Sequence, residues 1–131
     1  MVGIVVVSHS AKIAEGTAEL VRHMAGEVEI VPVGGDPDGG LGTDPERMQA
    51  AIESMTAEEI LVLMDIGSAV LSAETVLEML SPEIRERVRL VDAPLVEGAF
   101  SCGVMASTGA DVDECVEAAM EARTALKLRE D

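Results

Sequence analysis

Aromatic residues are almost missing from this chain: Phe100 is the only phenylalanine, and there is neither tryptophan nor tyrosine among 131 residues. Stacking on nucleobases and binding in aromatic-lined sugar grooves both need rings that are not there. Basic residues are nearly as scarce. Nine Lys and Arg, of which only Lys12 and Lys127 are lysine, stand against 25 Asp and Glu, for a formal net charge of −16. Nucleic acid and anionic membrane surfaces are therefore excluded as partners, because phosphate binding needs clustered cations. The acidic residues are spread over every segment and read as a hydrated surface. Self-repulsion on that scale is tolerated best where salt screens it, so a salt-rich cytosol is the expectation.

No apolar run approaches the roughly 18 to 20 residues of a membrane span, and the N-terminus lacks the basic flank of a signal peptide. The chain is expected in the cytoplasm. Cysteine is also rare: Cys102 and Cys115 form no C-x-x-C pair, and His9 and His23 are the only histidines. Two small buried thiols are expected, with no metal site.

What is abundant is aliphatic. Hydrophobic residues make up 48% of the chain, enough for one core, and residues 1–131 read as a single domain. Val2 to Val7 is a short apolar strand that runs into Ser8, His9 and Ser10. Residues 10 to 25 then place Ile13, Thr17, Leu20, Val21 and Met24 at helical spacing, with Ser10 as N-cap and Gly26 as stop. Glu27 to Val33 alternates as a second strand, and Pro32 suggests a sheet edge or a strand end.

Gly34 to Thr43 holds five glycines in ten residues and reads as a long, mobile loop of the kind that carries function. Asp44 and Pro45 open a second helix, with Met48, Ala51, Ile52 and Met55 on its apolar face. Glu59 to Met64 is a continuous apolar run, as in a strand covered on both faces. It ends in Asp65, Ile66, Gly67 and Ser68. A third helix follows, burying Ala73, Val76, Leu77 and Leu80 and closed by Ser81 and Pro82; Arg87 to Val91 is the fourth strand. Val96 to Ser107 reads as a helix. Asp111 and Glu114 start a last one, with Val112, Cys115, Ala119, Ala122 and Leu126 as its stripe and Arg123, Lys127 and Arg129 near its end.

This β-α alternation predicts an α/β domain with a central parallel sheet of about four strands and helices on both faces, and an order of 2-1-3-4 is the one expected to make the first and third strands neighbours. Such sheets place their sites beyond the carboxyl ends of the strands, where the strand order reverses. His9 ends the first strand and Asp65 the third. If these strands are neighbours, the carboxylate can hold one imidazole nitrogen and leave the other free as a nucleophile for a phosphoryl group. Helix N-termini and loop amides near Gly42, Thr43, Gly67 and Ser68 would suit the phosphate oxygens, as would the capping Ser10. The blander alternatives stand beside this reading: His9 as a surface or capping residue, Asp65 to Ser68 as a turn and cap, the glycine-rich stretch as a linker. His23 lies on a polar helix face and is read as solvated. A hydrolase using Ser8 or Ser10 fits poorly, since neighbouring strand residues point to opposite faces and no G-x-S-x-G turn is present.

Four stretches in order, VVVSHSAKIAEGTAELVRHMAG, GGLGTDPERMQAAI, LVLMDIGSAVLSAETVLEML and DAPLVEGAF, resemble the phosphotransferase subunit of bacterial-type dihydroxyacetone kinase. That subunit is similar to the IIA domain of mannose-family sugar phosphotransferase systems (PTS). The resemblance runs from Met1 to about Thr108. It implies a homodimeric α/β protein whose histidine takes phosphate from the histidine phosphocarrier protein and passes it to ADP in the kinase's nucleotide-binding subunit. The ATP so formed serves the dihydroxyacetone-binding subunit. No cofactor is implied to bind directly, the phosphate coming from phosphoenolpyruvate through PTS proteins.

By match of VSHS, His9 is implied to be the phosphohistidine; by match of DIGSA, Asp65 orients it, with Gly67 and Ser68 beside it. Gly42 and Thr43 match the GT of the family's loop. Asp44 stands where the family often has serine, which is expected to add negative charge near the phosphate. Phosphocarrier and enzyme I-like domains, which some relatives carry on the same chain, are not in this sequence, so a separate donor protein is expected. The alternatives left open are a mannose-type IIA component that feeds a sugar-specific IIB, and a regulatory module of the same fold without phosphoryl transfer.

Overall fold

A computed structural model describes residues 1–128 and contains a four-stranded, all-parallel sheet in the order β2-β1-β3-β4. Its strands are β1 (Val2–Ser8), β2 (Ile30–Gly34), β3 (Glu59–Met64) and β4 (Val88–Val91). The helices are α1 (Ala11–Met24), α2 (Pro45–Ser54), α3 (Gly67–Met79), the single turn α4 (Pro82–Arg85), α5 (Leu95–Ser107) and α6 (Val112–Glu121).

Alternation along the strands divides the core in two. Ile4, Val6, Leu61 and Leu63 face α1, α5 and α6, while Val5, Val7, Ile60, Val62 and Met64 face α2 and α3. The 2-1-3-4 order and the two helical layers follow the sequence reading. Pro32 sits on edge strand β2, where its missing N–H leaves no gap in a ladder.

Several boundaries and faces differ from expectation. The α1 face is rotated: Ala14, Thr17, Ala18 and Val21 are buried, whereas Ile13, Leu20 and Met24 are exposed. Close packing explains it. Gly103 of α5 presses on Val21, so near that an added Cβ would meet Val21 Cγ1 at 2.5 Å, and only small side chains fit at such a contact. Strand β2 begins at Ile30 instead of Glu27, because the chain is still turning out of α1, the Val28 amide bonding back to Ala25 O; Glu29 sends its carboxylate to the amides of Thr56 and Ala57 at the entry to β3.

Ser81 and Pro82 do not only close α3; they open α4, a turn the apolar spacing could not reveal. The capping box of Asp111 and Glu114 is present, but α6 ends at Glu121, leaving Leu126 beyond the helix and exposed. Arg123 pairs with Asp92 and Lys127 with Glu97, while Arg129 lies outside the described residues. Cys102 and Cys115 are buried free thiols, and burial pushes the Cys102 thiol up to about 12, which keeps it protonated and inert. Among the described residues no helix is long and apolar enough to cross a membrane.

Candidate functional site

The site forms where β1 and β3 leave the sheet side by side. Val7 pairs with Met64, and the Asp65 amide donates to Val7 O at 3.1 Å, so the two strand ends are locked in step. The chain turns from strand to helix at both ends, with Ser10 capping α1 through the Ile13 amide. The residues at these turns, His9 and Asp65, are thereby brought into direct contact.

Asp65 serves four donors. Its Oδ1 accepts from His9 Nδ1 at 3.0 Å and from the Ile66 amide at 2.7 Å; its Oδ2 accepts from Ser8 Oγ at 2.7 Å and from the His9 amide at 3.0 Å. Burial by itself pushes the Asp65 carboxyl up, but the hydrogen bonds from Ser8, the His9 amide and ring, and Ile66 outweigh it and hold the pKa below the ordinary aspartate range. The group is an anion that can only accept. Nδ1 therefore carries a proton, and Nε2 faces Ser68 Oγ; in the neutral ring it is Nε2 that has the lone pair.

Ser68 stands in the first turn of α3, a helix whose N-cap, Ile66, offers no side-chain hydrogen bond and whose first turn holds no acidic residue. Among the described residues, no acceptor engages the amides of Gly67, Ser68 or Thr43. The N-terminal end of α3 is thus an open set of donors with a positive dipole end, beside the free ring nitrogen. On the other side lies the glycine-rich loop. Gly42, at φ 147, donates its amide to His9 O at 2.9 Å, a backbone conformation that side-chain-bearing residues rarely adopt. Gly34 passes so close to α1 that an added Cβ would stand 2.5 Å from Ser10 O.

The loop carries more internal bonding than its glycine content suggests. Asp36 Oδ1 accepts from the amides of Asp38 at 2.9 Å and Gly40 at 2.8 Å. Asp44 is the buried N-cap of α2, and its charge is matched by Arg47, whose Nε donates to it at 3.0 Å and whose Nη2 reaches Gly34 O and Gly35 O. The negative charge expected beside the phosphate is thus tied into the loop base.

Of the residues singled out from sequence, His9, Asp65 and Ser68 are joined by hydrogen bonds, Gly67 adjoins them, and Gly42 and Thr43 close the other side. Ser10 is committed to its cap and takes no bond to His9 or Asp65. His23 is exposed on α1 and remote from the site in the chain's topology. Ser8 was missed as an orienting residue. It is 1% exposed, donates to Asp65 and accepts the Ser10 amide at 3.0 Å. The signal was available: a polar residue at the end of a fully buried strand needs a partner, at a cost of about 1–3 kcal/mol without one.

Leu41 and Ile66, next in sequence to Gly42 and Asp65, and Leu71 on α3 are 79%, 64% and 67% exposed. With a ring nitrogen turned to open amides and a carboxylate fixed on the other, the arrangement is suited to accepting and releasing a phosphoryl group.

Comparison with known proteins places these features among relatives. Residues 3–116 match the family described as PTS system fructose IIA component. The phosphoryl donor subunit DhaM of PEP-dependent dihydroxyacetone kinase from Escherichia coli is 48% identical over 97% of this chain but only 28% of its own length. The chain thus spans little more than a quarter of such relatives. A shorter one, the DhaM of kinase 2 from Listeria innocua, is 49% identical over 79% of this chain and 85% of its own. Among solved structures, a protein of unknown function, EF1359, superposes with a TM-score of 0.83 at 40% identity, covering 90% of this chain and 92% of that one. A phosphotransferase system component EIIA from Streptococcus agalactiae gives 0.66 at 17% identity, over 93% and 92% of the two chains, a likeness of fold.

Proposed function

The chain belongs to the PTS fructose IIA component family, in the branch of the DhaM phosphoryl donor subunits of dihydroxyacetone kinase, and from that premise we propose that it is the phosphoryl carrier of such a kinase, with His9 as carrier residue. The observation that carries this reading is the ring's asymmetry: Nδ1 lies against the Asp65 carboxylate while Nε2 lies beside Ser68 and the open end of α3, so that a neutral ring held this way has its lone pair on Nε2.

The proposed step is a displacement at phosphorus. The Nε2 lone pair of His9 attacks the phosphoryl group on the histidine phosphocarrier protein; an N–P bond forms as the donor's N–P bond breaks, and the donor imidazole leaves with the electron pair. Asp65 stabilises the positive charge that develops on the His9 ring. Ser68 Oγ–H releases Nε2 and turns to a phosphoryl oxygen. The amides of Thr43, Gly67 and Ser68 and the Ser10 hydroxyl are proposed to take the remaining phosphate contacts. In the second step a terminal phosphate oxygen of ADP, in the kinase's nucleotide-binding subunit, attacks the same phosphorus and Nε2 leaves. The ATP formed serves the dihydroxyacetone-binding subunit.

Exposed Leu41 and Ile66, adjoining the site residues Gly42 and Asp65 in sequence, fit protein partners on both sides of the relay. A cytoplasmic location, a homodimer and a phosphate that comes from phosphoenolpyruvate belong to the same proposal. The test mixes phosphorylated chain with the ADP-loaded kinase subunit and, separately, with a sugar-system IIB protein. Loss of phosphate to ADP alone is expected; loss to IIB alone would overturn the kinase assignment.

A further inference from the structure

The glycine-rich loop is joined to α3 by a pair of hydroxyls that none of the steps above uses. Thr43 Oγ1 and Ser72 Oγ lie 2.9 Å apart in a half-buried setting. Ser72 is four residues beyond Ser68 on α3, so the two serines occupy one helix face a turn apart. Ser68 meets Nε2 of His9, and Ser72 meets the residue that follows Gly42, whose amide is fixed to His9 O. The end of the loop is therefore tied both to the turn after β1 and to α3, beside the site.

The other ties of the loop do not reach α3. Arg47 and the Gly35 amide hold its base, Asp36 organises its tip, and Gly42 joins it to the His9 turn. Among the described residues, the Thr43–Ser72 pair is the one side-chain hydrogen bond between loop and α3. Loops of this kind sit at the low end of local stability, where a single neutral hydrogen bond is worth about fivefold in the ratio of closed to open.

We propose that Ser72 is a positioning residue: through Thr43 it latches the end of the glycine-rich loop to α3, holding the Thr43 backbone amide beside phosphorylated His9 as a phosphate contact and so slowing loss of the phosphoryl group to water. This rests on the reading of His9 as a phosphoryl carrier. The reaction suppressed is hydrolysis, in which a water oxygen attacks phosphorus, the N–P bond breaks with its electron pair returning to Nε2, the water's protons pass to phosphate and solvent, and inorganic phosphate leaves. A carrier that meets two partners in turn needs its charged form to outlast the interval between them.

The experiment uses the whole chain, phosphorylated by phosphoramidate, which needs no partner protein. Decay of the phosphohistidine signal is followed by phosphorus NMR in wild type, Ser72→Ala, Ser72→Thr, Thr43→Val and the double variant Thr43→Val/Ser72→Ala. Hydrogen exchange at the Leu41 and Gly42 amides is measured in parallel on the unphosphorylated proteins. Ser72→Ala is expected to speed both decay and exchange about fivefold at unchanged melting temperature, the worth of one neutral hydrogen bond. Ser72→Thr restores the wild-type decay, and the double variant decays no faster than Thr43→Val alone, because both changes break the same bond. Wild-type decay in Ser72→Ala, or additive effects in the double variant, would overturn the latch while leaving His9 as carrier. A wild-type chain that takes no phosphate on His9 would overturn the carrier reading, and the latch with it.

Discussion

Replacing Asp65 by asparagine removes one acceptor atom from a group that serves four donors, two on each oxygen. An amide has one carbonyl oxygen, so two donors must face an NH₂. With the NH₂ on the Ser8 side, the Ser8 hydroxyl can rotate away but the His9 amide cannot. With the NH₂ on the ring side, His9 can accept only by moving its proton to Nε2, and the nucleophilic lone pair is lost. Hydrogen bonds to charged groups are worth about 1.5–3 kcal/mol each, so forfeiting the one that fixes the tautomer slows phosphorylation by about 10- to 150-fold. The fold should persist, since the asparagine oxygen still ties β3 to two of the donors. The assay is phosphorylation of the whole chain by phosphoramidate under pseudo-first-order conditions, with nitrogen NMR of the His9 ring reporting which nitrogen carries the proton. An unchanged rate, with Nε2 still unprotonated, would refute the orienting role and reduce Asp65 to a cap.

Three further outcomes follow from other parts of the structure. Gly34→Ala drives a Cβ to 2.5 Å from Ser10 O and 2.8 Å from Ala11 Cα, backbone atoms that cannot step aside; it should displace the turn carrying His9 and cut phosphorylation at least about tenfold, with a destabilisation of about 1–3 kcal/mol by urea denaturation, and a silent substitution would contradict the close approach. The folded pKa of Asp65 lies below its usual 3.8, so its stabilisation is complete above that value and is lost as the pH falls through the folded value; the stability gap between wild type and Asp65→Asn should narrow below about pH 4, and a gap independent of pH would deny the ionised, hydrogen-bonded state. With a net charge of −16, molar salt should raise the melting temperature by several degrees over dilute buffer, and a flat response would remove the case for salt adaptation.

The β-α alternation was enough to derive the parallel sheet and its two helical layers, because apolar strands without polar faces can only be buried between helices. The meeting of His9 and Asp65 hung on strands 1 and 3 being neighbours, which the 2-1-3-4 order of the structure provides. What the sequence hid depends on distances between segments far apart in the chain. Helical periodicity contains neither the burial of Ala14 and Ala18 in place of Ile13 and Leu20 nor the close approach of Gly103 to Val21. Ser8 reads from sequence only as a poor nucleophile and is a donor to Asp65; Ser72 draws no reading from sequence and pairs its hydroxyl with Thr43. Asp44 looked like an intrusive charge until Arg47, one turn on, was seen to take it up. Each of these is a hydrogen-bond partner choice, which residue type alone does not determine.

The central claim, that His9 carries phosphate, is tested most directly by supplying phosphoenolpyruvate, enzyme I and the histidine phosphocarrier protein to the wild-type chain, His9→Ala and His23→Ala, and reading bound phosphate by intact mass before and after acid treatment. Wild type and His23→Ala should each gain one acid-labile, base-stable phosphate, and His9→Ala none. Phosphate on His9→Ala, or its loss from His23→Ala, would contradict the account.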